Sequence, residues 1–257
     1  MKIKIHRGTH QIGGIAAEIS TDNTRIIIDM GDELSLAPDF RSDPLVIPGV
    51  TDENGSCDAV LFTHYHGDHI GQMDRVRKDI PLYAGPLAKD IMLLSSQHSR
   101  KSTTELEERI NSIKTFEPGV EFTIGDIHIT PFSIDHSACD SYMFLIEADG
   151  KKLLYTGDFR THGFRGKAVP KIMDKLVRKV DALVIEGTTL SRPDTVPVTE
   201  YDLQQMLMYG REAQSKTRIA SPATIPKQGN HKAFPPLFRR IILWYNLKYR
   251  AVRKALV

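Results

Sequence analysis

The stretch THYHGDHIGQ, residues 63–72, puts three histidines and an aspartate within six positions, directly behind the apolar run DAVLF. Neutral imidazole and carboxylate are ligands suited to zinc and other first-row divalent cations. His64 and His66 alternate along an extended loop and can converge on one ion. Asp68 and His69, where the next helix should begin, can face a second. A single histidine is more often a packed or surface residue than a ligand. Three of the chain's ten histidines in one six-residue window argue for ligation instead.

Further ligands must come from elsewhere, and two strand ends offer them. In FSIDHSACDS, His136 follows an apolar run and precedes small residues, which lets an imidazole point into a cleft. In KLLYTGDFRTHG, Asp158 follows a strand and a glycine, where a carboxylate can bridge two ions. Asp29, closing RIIID, suits a residue that orients the histidine loop through hydrogen bonds rather than a ligand. Arg160 and Arg165 read equally as phosphate-holding groups and as solvated charges. His162 stays open between a ligand, a supporting and a solvent role. His6, His98 and His128 have no ligand context, and His10, on a Gly-rich loop, is the one best placed to approach a cleft.

The elements that must position these groups begin with short β-rich runs: KIKIH, IAAEIS, TRIIID and DAVLFT. Helical patterns follow over 70–76, 86–97 and 104–113, the last opening on a capping box of Thr104 and Glu107. A second group of strands comprises EFTIG, IHITPFSI, SYMFLIEA, KLLYTG and, after a helical stretch near 168–179, DALVIE. Strands, then helices, then strands again predict two facing sheets with helices outside, not the regular alternation of a doubly wound sheet. RPDTVPV reads as a linker, TEYDLQQMLMYGREAQ as a helix started by Thr199 and Asp202, and RIASPATI as a strand entering a turn.

At 257 residues the chain can bury a sizeable core. It contains no apolar run of the ~20 residues that cross a bilayer, and its start lacks a signal-peptide pattern, so a soluble, cytoplasmic protein without membrane contact is expected. Two cysteines, Cys57 and Cys139, lack metal-ligand spacing and read as packed thiols. The net charge of +2 conceals an asymmetry: residues 213–257 hold ten Lys/Arg and no acid, leaving 24 basic against 32 acidic residues before them. Such a shift points to an anionic partner, a surface patch or a segment of separate origin. In PPLFRRIILWYNLKYRAVRKALV, apolar residues at helical spacing alternate with cations, predicting a basic amphipathic helix whose apolar face packs on the protein, with membrane or nucleic-acid contact the alternative.

The series IIIDMGD, THYHGDHIG, DHS and YTGDF resembles the metallo-β-lactamase superfamily, whose HxHxDH loop is its most specific mark. The resemblance covers about residues 2–187. GTHQIGG, YTGDFRTHG and DALVIEGTTLSR narrow it to the β-CASP branch, and within it to the ribonuclease J type. It implies an α/β (α+β) fold, the αββα sandwich, with two zinc ions at its edge. His64, His66 and His136 would hold one ion and Asp68 and His69 the other, with Asp158 between them. Asp68 would also accept or orient the proton of an attacking water, and Glu186 matches the acidic residue that precedes the β-CASP insertion. The implied activity is phosphodiester cleavage in RNA, by a zinc-dependent hydrolase.

The sequence departs from this family beyond that point, where the late histidine and the later β-CASP motifs are missing. The sandwich therefore reads as incomplete at its C-terminal side. The implied division is a metallo-β-lactamase-like domain over 1–192, a linker and start of a β-CASP-like insertion over 193–225, and the basic tail over 226–257. The exposed sheet calls for a cover, either the tail helix or a second copy of the chain in a homo-oligomer. Two alternatives accompany the nuclease: a truncated, weakly active or inactive metal-binding remnant, and a non-nuclease hydrolase of the same fold.

Overall fold

A computed structural model describes residues 1–34, 42–99, 103–177, 180–188, 198–213 and 242–244. The β-rich runs of the amino-terminal part form β1 (Lys2–Arg7), β2 (Ala16–Ser20), β3 (Arg25–Ile28) and β4 (Ala59–Leu61). Two strands too short to show a period, β5 (Leu82–Ala84) and β6 (Lys114–Thr115), complete a sheet in the order β1-β2-β3-β4-β5-β6. Its first two pairings are antiparallel and the rest parallel. The second sheet holds β7 (Phe122–Ile124), β8 (Ile127–Ile134), β9 (Ser141–Ala148), β10 (Lys151–Tyr155), β11 (Ala182–Ile185) and β12 (Ile242–Trp244), in the order β12-β11-β10-β9-β8-β7. It is antiparallel from β7 to β10 and parallel from β10 to β12.

The two-residue period of the strands sorts their side chains into layers. Ile26 and Ile28 of β3 join Tyr142, Phe144 and Ile146 of β9 in the core between the sheets. Ile27 points the other way, into a cluster with Met92 of α2 (Pro86–His98) and Ile110 of α3 (Thr104–Asn111). On the far side Met143 and Leu154 pack against Val169, Met173 and Leu176 of α4 (Val169–Val177). The result is helices, sheet, sheet, helix: the expected αββα sandwich. Strands buried on both faces explain why TRIIID and KLLYTG read as continuous apolar runs.

Three local expectations need correction. The helix expected over 70–76 is a single turn, α1 (Gly67–Ile70), followed by a 3-10 turn at Met73–Arg75. Tertiary bonds replace its continuation: the Gln72 N–H donates to the Met30 carbonyl, and the Gln72 side-chain oxygen accepts from the Leu45 N–H. The cap of α3 is Thr103, not Thr104; its side chain accepts from the Leu106 N–H at 3.2 Å. The tail read as a basic amphipathic helix contains a strand, β12, parallel to β11. The physical reason is the edge of β11, whose unpaired backbone groups template a strand, and the local Ile-Leu-Trp sequence favours one. The remainder of the tail and the RIASPATI strand lie outside the described residues. By contrast α5 (Glu200–Ala213) starts as expected, with Thr199 and Asp202 exchanging two backbone-to-side-chain bonds of 3.1 and 3.0 Å.

Candidate metal centre

The carboxyl ends of β4, β8 and β10 deliver the chemistry. The chain leaving β4 carries His64, His66, Asp68 and His69; the one leaving β8 carries His136; the one leaving β10 carries Asp158. Their ligand atoms form two overlapping groups, each within 4.8 Å: His64 with His66 and His136, and His64 with His69 and Asp158. His64 Nε2 lies 3.1 Å from His66 Nδ1, which lies 3.2 Å from His136 Nε2. His69 Nε2 lies 3.4 Å from Asp158 Oδ2 and 3.7 Å from Asp68 Oδ2. A tetrahedron with ligand bonds of about 2.0–2.1 Å has edges of about 3.3–3.4 Å, so these separations are those of donors around a small cation.

Two further observations fit a cation. His69 Nε2 and Asp158 Oδ1 are buried and have no hydrogen-bond partner among the described residues, and such atoms are costly to leave unpaired. The imidazoles are also held in the ligating state. Burial, then the neighbouring histidines, pushes His64 well below its usual value; burial likewise lowers His66 and takes His136 down to about 4. All three are neutral near pH 7 and free to donate a lone pair. His69 differs: burial opposes its charge, but Asp29 and Asp158 outweigh burial and raise it well above the usual range. Asp158 is lowered because its histidine neighbours, His69 first, overcome burial. A divalent cation would reverse the balance at His69 by displacing its proton.

The layer behind the cluster fixes which ring nitrogen faces it. Asp29 is fully buried and has a left-handed backbone (φ 64°), which aspartate tolerates better than most residues. Its carboxylate accepts from the Thr63 N–H at 2.8 Å, from the Thr63 hydroxyl at 3.0 Å, from His69 Nδ1 at 2.9 Å and from the Tyr155 hydroxyl at 3.4 Å. With its proton directed at Asp29, Thr63 Oγ1 accepts from His64 Nδ1 at 3.1 Å. Both Nε2 atoms therefore turn to the cluster. Asp29 thus takes the orienting role its position suggests. Thr63 and Tyr155 escaped the sequence reading; the one available signal was a hydroxyl directly before His64. Close backbone approach locks the loop: a Cβ on Gly31 would sit 1.6 Å from the Asp68 carbonyl oxygen.

The other singled-out residues divide clearly. Asp68 borders the cluster, its carboxyl raised chiefly by burial, and belongs to neither three-residue group. Glu186, just past β11, accepts from the Phe159 N–H at 2.8 Å, one residue from Asp158; burial, then Asp158, raises its carboxyl. Arg160 is held by Glu200 at 2.5 Å and Asp135 at 3.5 Å. Arg165 donates to the Ser133 hydroxyl at 2.8 Å. His6 pairs with Glu18, His128 with Glu121, and His98 bonds the Leu94 carbonyl. His162 and the exposed His10 join no ligand group among the described residues.

Comparison with known proteins places most of the chain in one family. The family model described as beta-lactamase superfamily domain matches residues 24–219. The RNase J-like protein of Methanocaldococcus jannaschii is 27% identical over 212 residues, covering 80% of this chain and 47% of that protein. Ribonuclease J of Mycoplasma genitalium is 26% identical over 240 residues, covering 87% and 40%. The chain thus spans less than half the length of these curated relatives. Among solved structures, a protein of unknown function from Enterococcus faecalis superposes with a TM-score of 0.68 at 22% identity, over 83% of this chain and 57% of its own, a likeness of fold. The chain belongs to the beta-lactamase superfamily, on its ribonuclease J-like branch.

Proposed function

We propose that the chain is a zinc-dependent hydrolase that cleaves phosphodiester bonds in RNA. The observation that carries this reading is the pair of overlapping donor groups at the carboxyl ends of β4, β8 and β10. In this reading His64, His66 and His136 hold one ion, Asp68 and His69 the second, and Asp158 lies between them. When bound, two such cations supply the acidity that activates water near neutral pH and neutralises charge on a phosphodiester. The protein's own work is positional. Asp29 and Thr63 hold the His64 and His69 rings with Nε2 inward. Asp68 receives or orients the proton of the attacking water at its carboxylate. Glu186, kept with Asp68 in the catalytic set, acts as a positioning residue through the Phe159 N–H on the loop that carries Asp158.

The division at residue 192, with a β-CASP-like insertion starting over 193–225 and a basic tail over 226–257, belongs to the same proposal. So does a second copy of the chain as a partner along the second sheet; sedimentation of the purified chain reads that mass. No helix among the described residues is long and apolar enough to cross a membrane.

A second reading, a metal-binding chain of low turnover, draws on one observation: among the described residues the second group shares His64 with the first and adds no histidine beyond His69. One experiment separates the two. Bound metal per chain is measured alongside cleavage of a 5′-monophosphorylated RNA and of a generic phosphodiester, for the wild type and for His66→Ala. Two zinc ions with RNA turnover that the substitution abolishes support the nuclease. One ion or none, without turnover of either substrate, supports the second reading.

A further inference from the structure

At the carboxyl end of β8 lies a groove of about 460 Å³. Ser133, Asp135, Phe164, Arg165, Lys167 and Lys171 are among its lining residues, the two lysines where the chain enters α4. Three cations face a single lining carboxylate. That carboxylate, Asp135, is only 4% exposed, and Arg160 bonds both its backbone carbonyl at 2.8 Å and its side chain at 3.5 Å. Arg165 is fixed in place by the Ser133 hydroxyl and the Ile134 carbonyl, at 2.8 and 3.3 Å. Lys167 and Lys171 are exposed, and no ion pair among the described residues engages either; Asp202 is the nearby acid that senses the charge of Lys167. The Phe164 ring is 64% exposed while its backbone N–H is tied to Glu200 at 3.1 Å, so a fixed backbone presents an aromatic face to solvent.

A rigid guanidinium, two free ammonium groups and a presented ring beside a partly apolar floor suit a ligand with repeated anionic groups and flat faces. A single-stranded nucleic acid has both: its phosphates meet the cations and an unstacked base meets the ring. An acidic peptide would satisfy the charges and leave the ring unused. Its lining includes Asp135, the residue that precedes His136 in the chain. We propose that it is a subsite for single-stranded RNA, holding the strand beyond the bond that is cleaved; this rests on the phosphodiesterase reading above. Arg165, Lys167 and Lys171 take phosphates and Phe164 stacks one base.

The test is binding rather than turnover. The full chain as purified is titrated into a fluorescein-labelled, phosphorothioate-linked 12-nucleotide RNA, and anisotropy is followed across a salt series. Lys167→Ala with Lys171→Ala should weaken binding about tenfold at low salt. It should also reduce the slope of log affinity against log salt by about 1.4, the value for two lost contacts to a single strand. Phe164→Ala should weaken binding fivefold or more with the slope unchanged. Lys2→Ala with Lys4→Ala, two exposed cations on β1, should change affinity less than twofold. Wild-type affinity in the groove variants, or an equal loss in the β1 control, overturns the subsite, even if the wild type cleaves RNA. A wild type that neither binds nor cleaves RNA overturns the subsite and the phosphodiesterase reading together.

Discussion

Replacing Asp29 with asparagine tests whether metal affinity is set behind the ligands. The carboxylate accepts four hydrogen bonds and donates none, two of them from the Thr63 N–H at 2.8 Å and from His69 Nδ1 at 2.9 Å. An asparagine supplies one carbonyl oxygen; its amide must then face a donor. If the oxygen serves the Thr63 N–H, the amide N–H₂ meets His69 Nδ1, and the ring relaxes by moving its proton to Nε2. That nitrogen then has no lone pair for the cluster. If the oxygen serves His69, a buried backbone N–H is left unpaired instead. The second arrangement costs about 1–3 kcal/mol in the stability of the metal-free protein, so the first, with its misdirected ring, is favoured. Affinity for zinc at the group containing His69 should fall about 10–100-fold, the usual effect of removing a partner behind a ligating histidine. Competition against a chromophoric chelator reads the affinity, and urea unfolding in chelator reads the stability. Asp29→Asn with zinc affinity within twofold of wild type would refute the claim that this layer sets the ring orientation.

Other expectations follow from the same geometry. In chelator, His64, His66 and His136 have folded values below that of a free histidine, so the unfolded chain takes up protons first. Their contribution to stability is full above about pH 6.5 and is lost as pH falls toward about 4, the value of His136; His69, raised, acts oppositely, its contribution becoming full below about pH 6.5, but it is one group against three. Urea midpoints should therefore be lower at pH 5.5 than at pH 7, with the raised carboxyls of Asp68 and Glu186 acting in the opposite sense as pH falls. Zinc loading at pH 7 should release about one proton, from His69, measured by calorimetry in buffers of different ionisation enthalpy. Gly31→Ala should destabilise by about 3 kcal/mol because its Cβ meets the Asp68 carbonyl, whereas Gly67→Ala, with nothing within 4 Å, should leave the urea midpoint nearly unchanged. Thr103→Ala should cost about 1 kcal/mol and Thr104→Ala much less, since Thr103 is the cap.

Much of the site was legible because ligand chemistry restricts residue type and crowds it locally. His64, His66, Asp68 and His69 announce themselves within six positions, while His136 and Asp158 are legible only as polar residues that break off apolar strands. The supporting layer was half legible. Asp29 stands at a strand end like the ligands, but Tyr155 is an ordinary strand residue whose hydroxyl happens to reach it. Among the elements, eight-residue β-rich runs marked β8 and β9, while β5 and β6, of three and two residues, contain too few positions for a period. The tail failed for another reason: its apolar residues satisfy a helical spacing, and the edge of β11 selects a strand at Ile242–Trp244 all the same.

The placement of these residues follows from strand direction. β8 and β10 are both antiparallel to β9, so they run the same way, and β11 is parallel to β10. His136, Asp158 and Glu186 therefore emerge at one end of the second sheet, each within three residues of its strand's last residue. In the first sheet β3 and β4 are parallel, which brings Asp29 and the histidine loop to a common end. The Tyr142 N–H, bonded to the Thr63 carbonyl at 3.0 Å, and the Tyr155 hydroxyl, bonded to Asp29, tie that end to the second sheet. Reversal of any one of these strands would carry its residue to the opposite rim. The donor groups are thus a consequence of topology as well as of residue type. Loop residues past strand ends can diverge without disturbing the layers, whereas the depth at which each ligand sits is fixed by hydrogen-bonded register.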